Sequence, residues 1–181
     1  MTAAVIVLAV VVMVLVSSVV VYNGLARRRD QVDDAWNQVE VQLQRRSALV
    51  PGLVETVNGY AGHERGTLEA LTETRARAIS ARGPADQGSA EGALTGALTS
   101  LFAVVESYPD LRASRGFLEI QRELAVTEDR AAYARQYYND AVLTYNNAIA
   151  TVPQRILAAV FKFRAREYFQ AGGEERGPVP V

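Results

Sequence analysis

Residues 3–21 are nineteen positions without a charge, interrupted in polarity only by Ser17 and Ser18. At ~1.5 Å per residue a helix of this length reaches about 28 Å, close to the ~30 Å hydrocarbon core of a bilayer. Ten of the nineteen are valine. β-Branching lowers helix propensity in water, but in lipid every backbone polar group needs an internal partner, and a single segment meets that demand only as a helix. The chain is therefore read as anchored by a transmembrane helix, with the lipid bilayer as a partner through residues 3–21. A cleaved signal peptide calls for a basic leading region, a shorter apolar run and small residues before the cut. Here Met1 and Thr2 precede the run and Tyr22-Asn23-Gly24 follow it.

Arg27, Arg28 and Arg29 lie just past the span, and the positive-inside rule then places the N-terminus outside and the bulk of the chain in the cytoplasm. Arginines at this position set topology and meet anionic headgroups. A nucleic-acid surface is not supported, because 19 basic residues stand against 20 acidic ones for a net charge of −1. With no cysteine in the chain, disulfides, thiolate zinc sites and cysteine nucleophiles are excluded.

Beyond the span the periods are helical, and no segment alternates apolar and polar residues as a strand does. The clearest stripe covers 117–148, where Phe117, Leu124, Ala131, Tyr138 and Tyr145 recur every seventh residue, interleaved with Ile120, Thr127, Ala134, Ala141 and Ala148. A mean period of about 3.5 predicts a long helix packed along its length in coiled-coil fashion. Ser114 is its expected N-cap, and Pro153 ends it near Thr151. Val32, Ala35, Trp36, Val39 and Leu43 mark a first helix. Val50, Val54, Val57, Ala61, Leu68 and Leu71 mark a second that runs on to the Arg82-Gly83-Pro84 break, and Leu94, Ala97, Leu98, Leu101, Val104 and Val105 mark a third that stops before Pro109. The expected fold is all-α: an N-terminal transmembrane helix followed by an up-and-down four-helix bundle of long antiparallel helices. Its parts are an anchor at 1–24, a cytoplasmic body at 25–169 and a flexible tail at 170–181.

Pro51 has two readings. As a mid-helix proline it kinks one very long helix; with Ser47 as N-cap it lies in a first turn, where its missing N–H costs nothing and the chain reverses. We take the reversal, which returns the end of the fourth helix to the membrane.

No residue is assigned a catalytic, cofactor-binding or metal-binding role, and no small-molecule substrate is evident. His63-Glu64 lacks the second histidine of a zinc-protease motif, since position 67 is Thr, and His63 is read as a surface residue. Gly92 and Gly96 are read as letting the third helix approach a neighbour. Glu64 and Arg75 project from one face of the second helix, and Glu128, Arg135, Asn139 and Asn146 line the seam of the fourth. These charges form either a solvated flank or an ionic and amide network that fixes helix register.

A series of motifs resembles the LemA family in order along nearly the whole chain. They are Tyr22-Asn23-Gly24-Leu25, Val32-Asp33-Asp34-Ala35-Trp36, VEVQLQRR at 39–46, LVPGLVETV at 49–57 and Gly59-Tyr60-Ala61-Gly62-His63-Glu64. Tyr108-Pro109-Asp110-Leu111, Thr127-Glu128-Asp129-Arg130, Tyr138-Asn139-Asp140-Ala141-Val142, Tyr145-Asn146, Phe161-Lys162-Phe163 and Glu167-Tyr168-Phe169 complete it. The resemblance implies a bacterial inner-membrane protein, N-terminus outside, with a bundle of four helices, a reversal at Pro51 and no established enzymatic activity. Two departures are Ser47, where the family usually has Asp, and the short Pro178-Val179-Pro180-Val181 end.

The function expected is a non-enzymatic scaffold or interaction protein whose partners are membrane proteins or further copies of itself, with Tyr133, Tyr137, Tyr138 and Tyr145 as contact residues. The alternatives are a membrane-surface or signalling adaptor module and an enzyme with a carboxylate-bound metal. At 153–169, Ile156, Leu157, Val160, Phe161 and Phe163 alternate with Arg155, Lys162, Arg164 and Arg166, which suits either a bundle cap or a bilayer-surface element.

Overall fold

The computed structural model describes residues 2–170, and its secondary structure is helical: α1 (Thr2–Ala61), α2 (Arg65–Ser80), α3 (Gly83–Val105), α4 (Pro109–Arg112), α5 (Arg115–Ala150) and α6 (Gln154–Val160). Among the described residues there is no strand. Of the tail expected at 170–181, everything past Gln170, including Pro178 and Pro180, lies outside them. The described residues fall into two compact units, 2–36 with 137–167 and 37–136 with 168–170.

In the second unit each helix contributes one apolar stripe to a common core. Val50, Leu53, Val57 and Ala61 come from α1, Leu68, Leu71 and Ala78 from α2, Leu94, Leu98, Leu101 and Val105 from α3, Leu111 from α4, and Phe117 and Leu124 from α5. The spacings of three and four residues are those of one helix face. Each large side chain so buried contributes about 1.5–3 kcal/mol. The apolar α3 reaches a mean hydropathy of 1.2, enough to cross a bilayer by composition. Its leucines nevertheless enter this core and it carries a buried acid, Glu91, so it is a core helix.

The chain does not reverse at Pro51. α1 runs through that residue, and Ser47, expected as an N-cap, lies inside the helix and is buried. Proline at 51 has no N–H for the carbonyl four residues back, which is that of Ser47. The vacancy is filled from α2, where the Arg75 Nε–H donates to the Ser47 carbonyl at 2.8 Å. Reversal comes later, at Gly62-His63-Glu64, where the Glu64 N–H closes on the Ala61 carbonyl at 3.0 Å. The stripe expected as one second helix is thus divided between α1 and α2. At the start of α5 the Ser114 cap is present, its hydroxyl accepting from the Phe117 N–H at 3.3 Å, and the seven-residue seam is buried from Phe117 to Tyr145.

In the first unit, residues 3–17 of α1 are exposed throughout, within a stretch whose mean hydropathy reaches 3.2. Ser18 donates its hydroxyl to the Val14 carbonyl at 2.8 Å, so this polar group is satisfied within the helix. Such a surface suits lipid, and α1 is long and apolar enough there to cross a membrane. Past it, Leu25 packs with Ala148 of α5 and Ala158 of α6, joined by Val21, Ile149 and Phe163. The end of α5 therefore does lie against the residues that follow the span, although Pro51 does not turn the chain.

Candidate functional site

Arg46 stands on the same face of α1 as Leu43 and Val50, and Glu91 on the same face of α3 as Leu94 and Leu98, so both charges point into the core of the second unit. The Arg46 guanidinium donates to Glu91 Oε2 at 3.0 Å and to Thr95 Oγ1 at 3.0 Å. It also lies 3.0 Å from Glu128 Oε2, a charge contact without the alignment of a hydrogen bond. Arg135 donates to the other Glu128 oxygen at 2.8 Å. Arg46 is 4% exposed and Glu91 1%. Burial pushes the Glu91 carboxyl above the ordinary carboxylate range, opposed by Arg46 and the Gln87 amide.

A network therefore exists on α1, α3 and α5, with Glu128 and Arg135 as expected members and Arg46 and Glu91 as members that periodicity alone did not single out. The available signal was a lone basic and a lone acidic residue, each interrupting an apolar stripe. Glu64 and Arg75 do not pair. Glu64 accepts from the Tyr108 hydroxyl at 3.1 Å, which raises the tyrosine above its ordinary range, and Arg75 serves the Ser47 carbonyl.

Asn146 and two of the four tyrosines have another task. Residues 163–167, past α6, form a strap without regular secondary structure, held in the first unit by its main chain. The Asn146 amide donates to the Arg166 carbonyl at 2.9 Å and accepts from the Arg166 N–H at 2.9 Å. The Tyr145 hydroxyl donates to the Arg164 carbonyl at 3.0 Å and the Tyr138 hydroxyl to the Glu167 carbonyl at 2.7 Å. Arg166 reaches Asp33 at 2.6 Å. Burial pushes Tyr138 up to about 12, and raises Tyr145 as well. In the second unit the continuing chain buries Phe169, over whose ring Arg135 lies at 5.7 Å. Gly88 faces the Gln170 carbonyl so closely that a Cβ would collide with it. A close approach on α3 is thus at Gly88, while Gly96 faces open space.

Tyr138 and Tyr145 are consequently buried strap holders, while Tyr133 is 74% exposed and Tyr137 38%. Tyr133 borders a surface groove of about 530 Å³ with Asn37, Gln38, Val41, Gln42, Asp129, Arg130 and Ala134. His63 is exposed in the turn after α1. The polar groups of both clusters bind main chain or one another, an arrangement that fixes packing.

The chain matches the family described as LemA family over residues 35–181. Magnetosome protein MamQ 2 of Paramagnetospirillum magneticum is 27% identical, the alignment covering 88% of this chain and 68% of that protein. Protein LemA of Metamycoplasma hominis is also 27% identical, over 87% of this chain and 72% of its own length. Magnetosome protein MamQ of Magnetospirillum gryphiswaldense is 26% identical, with coverages of 88% and 68%.

Proposed function

The chain belongs to the LemA family, and on that premise we propose that it is a single-pass protein of the bacterial inner membrane whose helical body has a scaffolding or protein-interaction role at the cytoplasmic face. The carrying observation is the continuity of α1, which holds both the apolar span and the residues Val39, Leu43 and Val50 of the packed body. A helix that leads from an anchor into a packed body suits holding a surface at the bilayer. Arg27, Arg28 and Arg29 support the N-out orientation through the positive-inside rule.

We read the domains as an anchor at 1–24, a body at 25–169 and a tail from 170. In the body α1, α2, α3 and α5 serve as the four long members of an up-and-down bundle. The role is non-enzymatic: the relatives are named as magnetosome proteins or as LemA, and neither name states a reaction. The partner is another membrane protein or a second copy, met through the groove beside Val41 and Tyr133. A photo-crosslinking residue at 133 or 41, activated in intact membranes, is expected to join the chain to itself or to a membrane protein. If both positions stay uncrosslinked while a probe at a lipid-facing residue such as Val11 reacts with lipid, the interaction surface is refuted.

A further inference from the structure

α6 is two-sided. Ala158 packs with Leu25, which makes the helix a cap, but Val152, Ile156 and Val160 are 63–69% exposed and Phe161 is 51% exposed on the remaining surface.

What covers that surface is indicated by three observations. The first is continuity. The Phe161 ring meets Tyr22, the residue after the apolar run, edge-on with centroids 4.8 Å apart. Together with Leu15, Val16, Val19 and Val20 these two line an apolar groove of about 540 Å³, so Phe161, at the end of α6, joins the surface of the apolar run. The second is charge. Residues 22–29 and 151–164 contain Arg27, Arg28, Arg29, Arg155, Lys162 and Arg164 and no acid, a composition complementary to anionic headgroups. The third is the turn out of α6. Lys162 takes φ 58, the left-handed region where glycine is favoured. Phe163 N–H then reaches the Ala158 carbonyl at 2.9 Å, and the turn leaves both phenylalanine rings against Tyr22, Phe163 with its centroid 5.7 Å away and Arg29 over the Phe163 ring at 5.8 Å.

We propose that residues 152–164 form an interfacial element that docks on the anionic lipid leaflet entered by the span. Ile156, Val160 and Phe161 enter the acyl boundary, and Arg155, Lys162 and Arg164 sit among the phosphates. Tyr22 occupies the aromatic belt. The inference rests on the membrane reading of residues 3–21, which it deepens.

The chain has no cysteine, so single spin labels are placed on the full-length protein at V160C, V11C and Y133C in vesicles of phosphatidylcholine with phosphatidylglycerol. Relaxation by lipid-dissolved oxygen is compared with relaxation by a water-soluble nickel complex. The oxygen-to-nickel ratio at 160 is expected to exceed that at 133 severalfold and to fall towards it in R155Q/K162Q/R164Q. A ratio at 160 equal to that at 133, with 11 still in lipid, refutes the docking while the span stands. Water exposure at 11 refutes the span itself. A label at 160 shielded from both reagents makes a second copy the occupant and overturns the proposal, and equal immersion in phosphatidylcholine alone overturns the assignment to anionic lipid.

Discussion

Proline within a helix normally costs about 3 kcal/mol or more, partly through the acceptor it orphans. Here that acceptor, the Ser47 carbonyl, receives the Arg75 Nε–H. Arg75→Ala is expected to destabilise the protein by about 1–2 kcal/mol. In a Pro51→Ala background, where residue 51 supplies its own N–H, the same change should cost less, and urea unfolding of the four proteins should show coupling of about 1 kcal/mol. Glu91 gives a pH signature. Its folded pKa is raised above the ordinary 4.5, so in the window between 4.5 and the raised value the folded state binds more protons than the unfolded, and stability falls as pH rises through it. Glu91→Gln removes that term, so the variant should compare best with the parent at neutral pH and lose ground as pH falls through the window. Glu91→Ala leaves buried Arg46 short of a partner and should cost about 3 kcal/mol at neutral pH. Pro51 was misread from sequence because its remedy is a side chain on another helix, invisible to local rules. Arg46 and Glu91 were legible in principle, as opposite charges on two apolar stripes.

The best-read element is α5, since a 3.5-residue period over several heptads leaves one face to bury and Ser114 and Pro153 bound it. The division of α1 from α2 was harder: Val50 to Leu71 keeps helical spacing across the turn, and Gly59, Gly62 and Gly66 offer three local places for a stop without choosing among them. The strap was not legible. Its holders, Asn146, Tyr138 and Tyr145, bind carbonyls and an N–H that every residue type but proline possesses, so nothing in 163–167 marks it as their ligand. Asn146→Ala removes two of those hydrogen bonds, and trypsin is expected to cut after Arg164 and Arg166 several times faster than in the parent, with circular dichroism unchanged. Unchanged cleavage would mean that the two tyrosines suffice.

Taken whole, the molecule has a span, a helical body and a basic collar, and the first two follow from hydropathy and periodicity. The orientation is testable with the same cysteine-free background. Thr2→Cys is expected to react with an impermeant maleimide in intact cells, and Tyr133→Cys only after the membrane is opened; the reverse pattern would put the body outside. The strap has a last consequence for how this protein can vary. Because Asn146, Tyr138 and Tyr145 read main chain and leave the side chains of Ala165 and Glu167 facing solvent, those two positions are free to drift or to carry an inserted label. Proline at 166, which deletes the N–H that Asn146 accepts, is the substitution such a scan would find forbidden.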